Sequence, residues 1–248
     1  MDRRIITRPL RRQQRGFFTI DPYRGGGGGD PNFSSVVQMA HFDGSNGSTT
    51  LTNSCPRGNT LTVLGSATIS TTQSKWGGAS LRSPNTSSGA QNLANIADYG
   101  FGTLAHTLEG WFWFDTLRDT NVCFAWNDGS PIVRCRSLGQ VSLFADSSYR
   151  ITSANGVCSA ATWHFISFCQ EGAAVASTLR NWYLHVDGNY IGSWNFGALT
   201  GATGQLYCGQ DAYGEALVGY ADDFRVTKGV CRYGPTNYAV PTAPFPNF

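Results

Sequence analysis

Glycoside hydrolysis by an acid–base mechanism needs two carboxyl groups about 5–10 Å apart. The chain has glutamates only at 109, 171 and 215. Glu109 and Asp115 share one face of the run Thr107–Asp115, but six residues of extended chain hold them about 20 Å apart. No E-x-D-x-x-E arrangement occurs either, so a carboxylate-pair hydrolase is disfavoured. Nucleophilic catalysis has no local signature: there is no G-x-S-x-G elbow, and Cys158 or Cys169 would have to find His164 in space. His164 and His185 lie inside apolar runs and read as satisfied strand residues. The five glycines at 25–29 lack a following G-K-[ST] and a preceding strand, which makes them a spacer rather than a phosphate loop. Saccharide binding is the other chemistry to weigh, although seven Trp in a sandwich are first explained as core and sheet-face packing. Trp126-Asn127-Asp128-Gly129 and Tyr213-Gly214-Glu215 each join an aromatic platform to polar groups in a loop-like context.

The elements that must position these residues are strands. Period-two alternation between turn residues marks Thr107–Asp115, Gln140–Ala145, Trp163–Gln170, Trp182–Val186, Tyr190–Trp194, Gly204–Cys208 and Tyr220–Thr227. In Thr107–Asp115 one face carries Leu108, Phe112 and Phe114 and the other Trp111 and Trp113, which suits a central strand covered on both sides. Asp187-Gly188-Asn189 can adopt positive φ and predicts a hairpin. The tail Pro241–Pro246 should be extended and poor in hydrogen bonds. Helical periodicity is nowhere sustained, and no repeat of 20–50 residues is visible. The expected fold is an all-β, two-sheet antiparallel sandwich.

Composition agrees. Of 248 residues 14% are charged and 30 are glycine, which disfavours a coiled coil, a helical bundle or a disordered polyelectrolyte. Seven cysteines, at 55, 123, 135, 158, 169, 208 and 231, are odd in number and irregularly spaced without C-x-x-C. They predict neither a zinc ribbon nor a complete disulfide framework, but small buried hydrophobes in a reducing compartment. No stretch of 18 apolar residues predicts a membrane span, and no apolar run follows the charged N-terminus as in a secretory signal.

The net charge of +2 hides an asymmetry, for residues 1–30 hold seven Arg against three Asp. Three segments follow: an Arg-rich anchoring arm (1–24), a glycine-rich linker (25–35) and a sandwich (36–248). Arg3, Arg4, Arg8, Arg11, Arg12 and Arg15 offer rigid forks for carboxylate or phosphate. Phe17, Phe18 and Ile20 add an apolar patch. No stacking aromatics interrupt the basic run, so a protein is the expected partner rather than nucleic acid.

An ordered set of local patterns then becomes informative. It comprises His41-Phe42-Asp43-Gly44, Ile69 to Ala79 with Lys75-Trp76-Gly77-Gly78, Thr107-Leu108-Glu109-Gly110-Trp111, Trp163-His164-Phe165, Leu184-His185-Val186-Asp187-Gly188, and Tyr220 to Tyr233 with Asp222-Asp223-Phe224-Arg225-Val226-Thr227-Lys228-Gly229. Over about residues 38–248 the chain resembles laminin G-like, concanavalin A-like jelly-roll domains, in particular those of tailed-bacteriophage structural proteins. The resemblance implies adjacent first and last strands and makes Glu109 a structural residue before Gly-Trp. It also raises calcium as the one metal to consider, held by Asp43 with Asp222 or Asp223; otherwise no cofactor is expected. The fold alone does not fix a function. The leading expectation is a non-enzymatic virion protein, a capsid decoration, cement-like protein or short appendage, assembled in the bacterial cytoplasm. Its arm would dock on a major capsid, neck or tail protein, and the phage resemblance suggests a homo-oligomer. The alternative is a carbohydrate-binding receptor or adhesion module with a host surface glycan as partner.

Overall fold

The computed structural model describes residues 29–57, 59–84, 89–92, 103–126, 131–172, 179–197 and 205–248. The arm residues Arg3, Arg4, Arg8, Arg11, Arg12, Arg15, Phe17, Phe18 and Ile20 lie outside the described residues. Among the described residues no helix is long and apolar enough to cross a membrane. The described elements are one 3-10 turn, Phe33–Ser35, and fifteen strands.

The strands form two antiparallel sheets. The first contains, in spatial order, β13 (Asn189–Gly197), β12 (Leu179–Val186), β11 (Trp163–Gln170), β6 (His106–Phe114), β15 (Gly219–Lys228), β4 (Ser80–Ser83) and β3 (Thr68–Ser70). The short β1 (Val36–Ala40) pairs with the C-terminal half of β15, so first and last strands are neighbours. The second sheet runs β10 (Ser148–Thr152), β9 (Val141–Ala145), β8 (Ile132–Cys135), β7 (Asn121–Trp126), β14 (Leu206–Cys208), β5 (Gly89–Asn92) and β2 (Leu61–Leu64). Among the described residues each run read from the alternation contains a strand, Gly204 of the run Gly204–Cys208 lying outside them, and the all-β sandwich is the fold.

The core lies between the sheets. Alternation on β6 sends Leu108, Phe112 and Phe114 inward, where they join Phe124, Trp126, Phe168 and Trp182. These rings meet edge to face, with Phe112–Phe124 centroids 5.1 Å and Phe168–Trp182 centroids 5.4 Å apart, the arrangement that ring quadrupoles favour. His106 sits between Trp126 and Phe168, and burial pushes its pKa down to about 3, so it is a neutral core residue.

Two features shape the outer face of the first sheet. β15 carries a bulge between Asp222, opposite Trp111, and Arg225, opposite Glu109, with Asp223 at φ +48°. The chain after β15 then folds back as a strap, and Tyr233, Tyr238 and Phe245 pack over Phe165, Cys169 and Tyr183. The hairpin turn that receives this strap is shorter than the sequence suggested. Val186 pairs with Asn189, leaving Asp187 (φ +49°) and Gly188 (φ +75°) as a two-residue turn. The Gly188 carbonyl accepts the Tyr238 N–H at 2.9 Å, and a Cβ at Gly188 would overlap the Tyr238 carbonyl oxygen. Gly188→Ala is therefore expected to cost about 2 kcal/mol or more in chemical denaturation, from positive φ plus the displaced strap. An unchanged denaturation midpoint would refute this packing of the turn.

Candidate functional site

The strap leaves one end of the outer face open. Along β6 the outward residues are Thr107, Glu109, Trp111 and Trp113. Thr107 and Glu109 lie beneath the strap, bonded to Val230 and Tyr233. Trp111 is 4% exposed, whereas Trp113 is only half-buried. Register carries the open end sideways, for Trp163 of β11 stands opposite Trp113, Trp113 opposite Tyr220 of β15, and Tyr220 opposite Arg82 of β4. Strand spacing makes the span from Trp163 to Tyr220 about 10 Å. The Trp113 and Trp163 ring centroids are 6.0 Å apart. Arg82 ends the row with its guanidinium carbon 4.5 Å from the Tyr220 ring centroid and Nη1 2.5 Å from Asp115 Oδ2. Lys75 borders the row, its Nζ 3.8 Å from the Trp111 ring centroid and 5.2 Å from that of Trp76. Burial lowers the Lys75 pKa, while Asp187 and Asp222 oppose the shift.

This terrace is held rigidly. The backbone N–H groups of Lys75 and Trp76 donate to Asp222 Oδ2 at 2.7 and 3.1 Å. Gly77, at φ +63°, lies so close to Asp43 that a Cβ there would overlap its carboxylate. The arrangement offers the half-covered rings of Trp113 and Trp163, with one paired guanidinium, one carboxylate and one ammonium at the margins, whereas Tyr220 is buried. Such a surface can stack against the C–H faces of sugar rings and hydrogen-bond their hydroxyls.

The residues singled out from the sequence fall elsewhere. Trp126 is fully buried against Phe168 and His106, so its reading as a sugar platform is corrected: β7 packs it into the core. Asn127, Asp128 and Gly129 lie outside the described residues. Tyr213 is 74% exposed on a turn whose N–H groups at Tyr213 and Glu215 donate to Asp211 Oδ1, and Glu215 pairs with Arg134. Glu109 is buried and spent on Arg225 and on the Tyr233 hydroxyl, while Glu171 accepts from Tyr183 and Asn181. His164 donates through Nδ1 to Asp187 Oδ2 at 2.7 Å and accepts the Ser159 backbone N–H on Nε2 at 3.0 Å. Ser159 Oγ lies 3.3 Å from that same Nε2, whose single lone pair already faces the backbone donor, so the trio is a loop clamp rather than an activated serine. His185 faces the Gly234 carbonyl at 2.9 Å, and burial lowers its pKa to about 4. Cys158 meets Cys135, and Cys169 lies 3.3 Å from Thr107 Oγ1.

Of the carboxylates considered for calcium, Asp222 and Asp223 lie on β15, and their oxygens accept hydrogen bonds from the protein. Asp222 Oδ1 accepts the Asp223 N–H, and Asp222 Oδ2 accepts those of Lys75 and Trp76. Asp223 Oδ2 accepts the Phe245 N–H, and Asp223 Oδ1 lies 2.6 Å from His41 Nδ1. A cation there would compete with these donors for the same oxygens. Among the described residues no group of three or more His, Cys, Asp or Glu side chains is placed to hold a metal.

The His41 contact has a consequence for pH. Burial opposes its charge, yet hydrogen bonds to Asp223 and Asn247 outweigh burial and push its pKa up to about 9. Burial likewise raises Asp222, to about 8. Both groups hold protons in the folded state that the unfolded chain has released. The contribution of His41 is thus complete below pH 6.5 and is lost as pH rises through about 9. Thermal stability should fall between pH 6.5 and 9.5, with about 1–3 kcal/mol of the loss absent in His41→Gln. A flat wild-type profile over this window would contradict the pairing.

No family model matches the chain, and no curated protein matches it by sequence. Solved structures do resemble it. Domain 4 of AbnA, a GH43 extracellular arabinanase from Geobacillus stearothermophilus, solved with arabinotriose, is similar at 16% identity with a TM-score of 0.55, over 79% of this chain and 94% of that one. The binding domain of Paraclostridial Mosquitocidal Protein 1 is similar at 11% identity and a TM-score of 0.55, over 80% of this chain and 50% of that one. A structure of botulinum neurotoxin type C, described as entering cells through two ganglioside molecules, is similar at 11% identity and a TM-score of 0.53, over 80% and 49%. The chain thus spans about half the length of the toxin chains. Identities this low establish the shared β-sandwich fold.

Proposed function

We propose that the chain is a non-catalytic carbohydrate-binding module, an adhesion domain that its N-terminal arm tethers to a larger particle. One observation carries the reading: the row Trp163–Trp113–Tyr220–Arg82, set by strand register, in which both tryptophans and Arg82 are half-buried and left open where the strap ends while Tyr220 is buried beneath Arg82. The arabinotriose and ganglioside partners named for two structures of similar fold support it. So does the commitment of all three glutamates to ion pairs or hydrogen bonds, which leaves none of them as a free acid or base. The placement on a tailed-phage virion, as a head or tail appendage, rests on the sequence resemblance over residues 38–248 and on the arm's arginines and Phe17-Phe18. Copies repeated on a particle would turn weak single sites into firm attachment.

The test is binding of the full chain to a panel of neutral and acidic oligosaccharides, followed by titration calorimetry on those retained. Saturable binding with no release of reducing ends supports the proposal. Failure to retain any glycan, or hydrolysis of one, overturns it.

A further inference from the structure

Cys169 and Cys231 are far apart in sequence but meet on the outer face of the first sheet. Thr107 brings them together, since its Oγ1 lies 3.3 Å from Cys169 Sγ, accepts the Arg232 N–H at 2.9 Å and donates to the Val230 carbonyl at 2.9 Å. The chain on both sides of Cys231 is therefore fixed over Cys169. The two side chains pack in one small cluster with Tyr183, Tyr190, Tyr233 and Tyr238, where Cys231 Sγ donates to the Tyr233 carbonyl at 3.3 Å. Cys169 is fully buried, whereas Cys231 is half-exposed at the root of the strap. Cys135 and Cys158 also meet, but both are buried in the inter-sheet core, beyond the reach of a bulky oxidant.

We propose that Cys169 and Cys231 are an oxidisable pair that closes to a disulfide and fastens the strap to β11. The oxidant is a small disulfide such as oxidised glutathione. The Cys231 thiolate attacks one of its sulfurs, forming a mixed disulfide and releasing one reduced glutathione. Cys169 then gives up its proton and attacks Cys231 Sγ, which expels the second glutathione and leaves the internal bond. Two thiols and one glutathione disulfide become one protein disulfide and two glutathione thiols. The bond would close a loop of about sixty residues and hold in place the segment that borders the open terrace. The inference does not depend on what the terrace binds.

The reduced full chain is treated with oxidised glutathione, denatured, alkylated and digested. The expected product is a peptide pair joined through Cys169 and Cys231, lost on reduction, with the thermal midpoint raised by about 10 °C. Cys231→Ser should show neither the linked pair nor the rise, while keeping the reduced midpoint of the parent. Cys169→Ala should leave Cys231 stopped as the glutathione adduct, which shows the order of attack even if the variant is less stable. The proposal is overturned if both thiols of the parent are alkylated after prolonged oxidation, or if Cys231 of the parent retains glutathione while Cys169 stays free.

Discussion

Replacing Arg225 with methionine is expected to remove about 3–5 kcal/mol of stability, enough to leave much of the protein unfolded at physiological temperature. Arg225 is 1% exposed yet charged, and its position is tolerable only because two carboxylates meet it. Its Nε lies 2.9 Å from Glu109 Oε1 and its Nη1 2.9 Å from Asp30 Oδ2. Arg232 makes the second half of the knot, with Nη1 and Nη2 at 3.0 and 2.6 Å from the two oxygens of Asp30. Tyr233 closes it by donating to Glu109 Oε2 at 2.5 Å. Burial works to raise Asp30, but Arg232 and Arg225 prevail and hold its carboxyl below the usual range. Two arginines and two carboxylates balance, so the loss of one arginine leaves a net negative charge with no water to solvate it. The guanidinium also stacks 3.8 Å from the Phe245 ring centroid, which methionine would only partly replace. Asp30→Asn added to Arg225→Met should recover part of the loss, because it removes the charge left behind. If the single variant denatured at the parent's urea concentration, the knot would not be a stabilising unit.

Truncating either tryptophan of the open row should act on binding and spare the fold. Trp113→Ala and Trp163→Ala are each expected to weaken glycan binding by about 2 kcal/mol, roughly thirty-fold in Kd. Each side chain is half-buried, with the two rings tilted 59° to each other at 6.0 Å, so the thermal midpoint should move by only a few degrees for Trp113→Ala and by more for Trp163→Ala, whose ring also packs on the cluster with Trp111 and Phe165. Tyr213→Ala is the control: this exposed ring sits on the Asp211–Glu215 turn and should leave affinity unchanged. Undiminished binding in both tryptophan variants, or its loss in Tyr213→Ala, would move the site away from the row. The same titrations repeated after closing the Cys169–Cys231 bond would show how far strap and terrace are coupled.

The amino-acid sequence by itself determined the layer architecture. A period of two in hydrophobicity is a local property, and strands such as β6, β11, β12 and β15 carry it in their own residues. The Asp187-Gly188 turn was legible for the same reason, because positive φ is tolerated by few residue types. The pairing of first with last strand was implied only through resemblance, and the structure shows it in the β1–β15 register. Trp126 was misplaced because an indole beside Asn-Asp-Gly looks the same in sequence whether its strand ends in a loop or in the core. The row Trp163–Trp113–Tyr220–Arg82 was invisible, since its members come from four strands and become neighbours only when register is set. Trp111 and Trp113 show the limit most directly, for the same alternation put both on one face and could not tell which of them the strap would cover. Cysteine spacing failed in the same way, because Cys169 and Cys231 meet through the fold-back of the chain after β15 and not through any local motif. Local stereochemistry and hydrophobic period thus specified the sheets, whereas tertiary packing alone decided which outward-facing residues are buried, paired or left open to a partner.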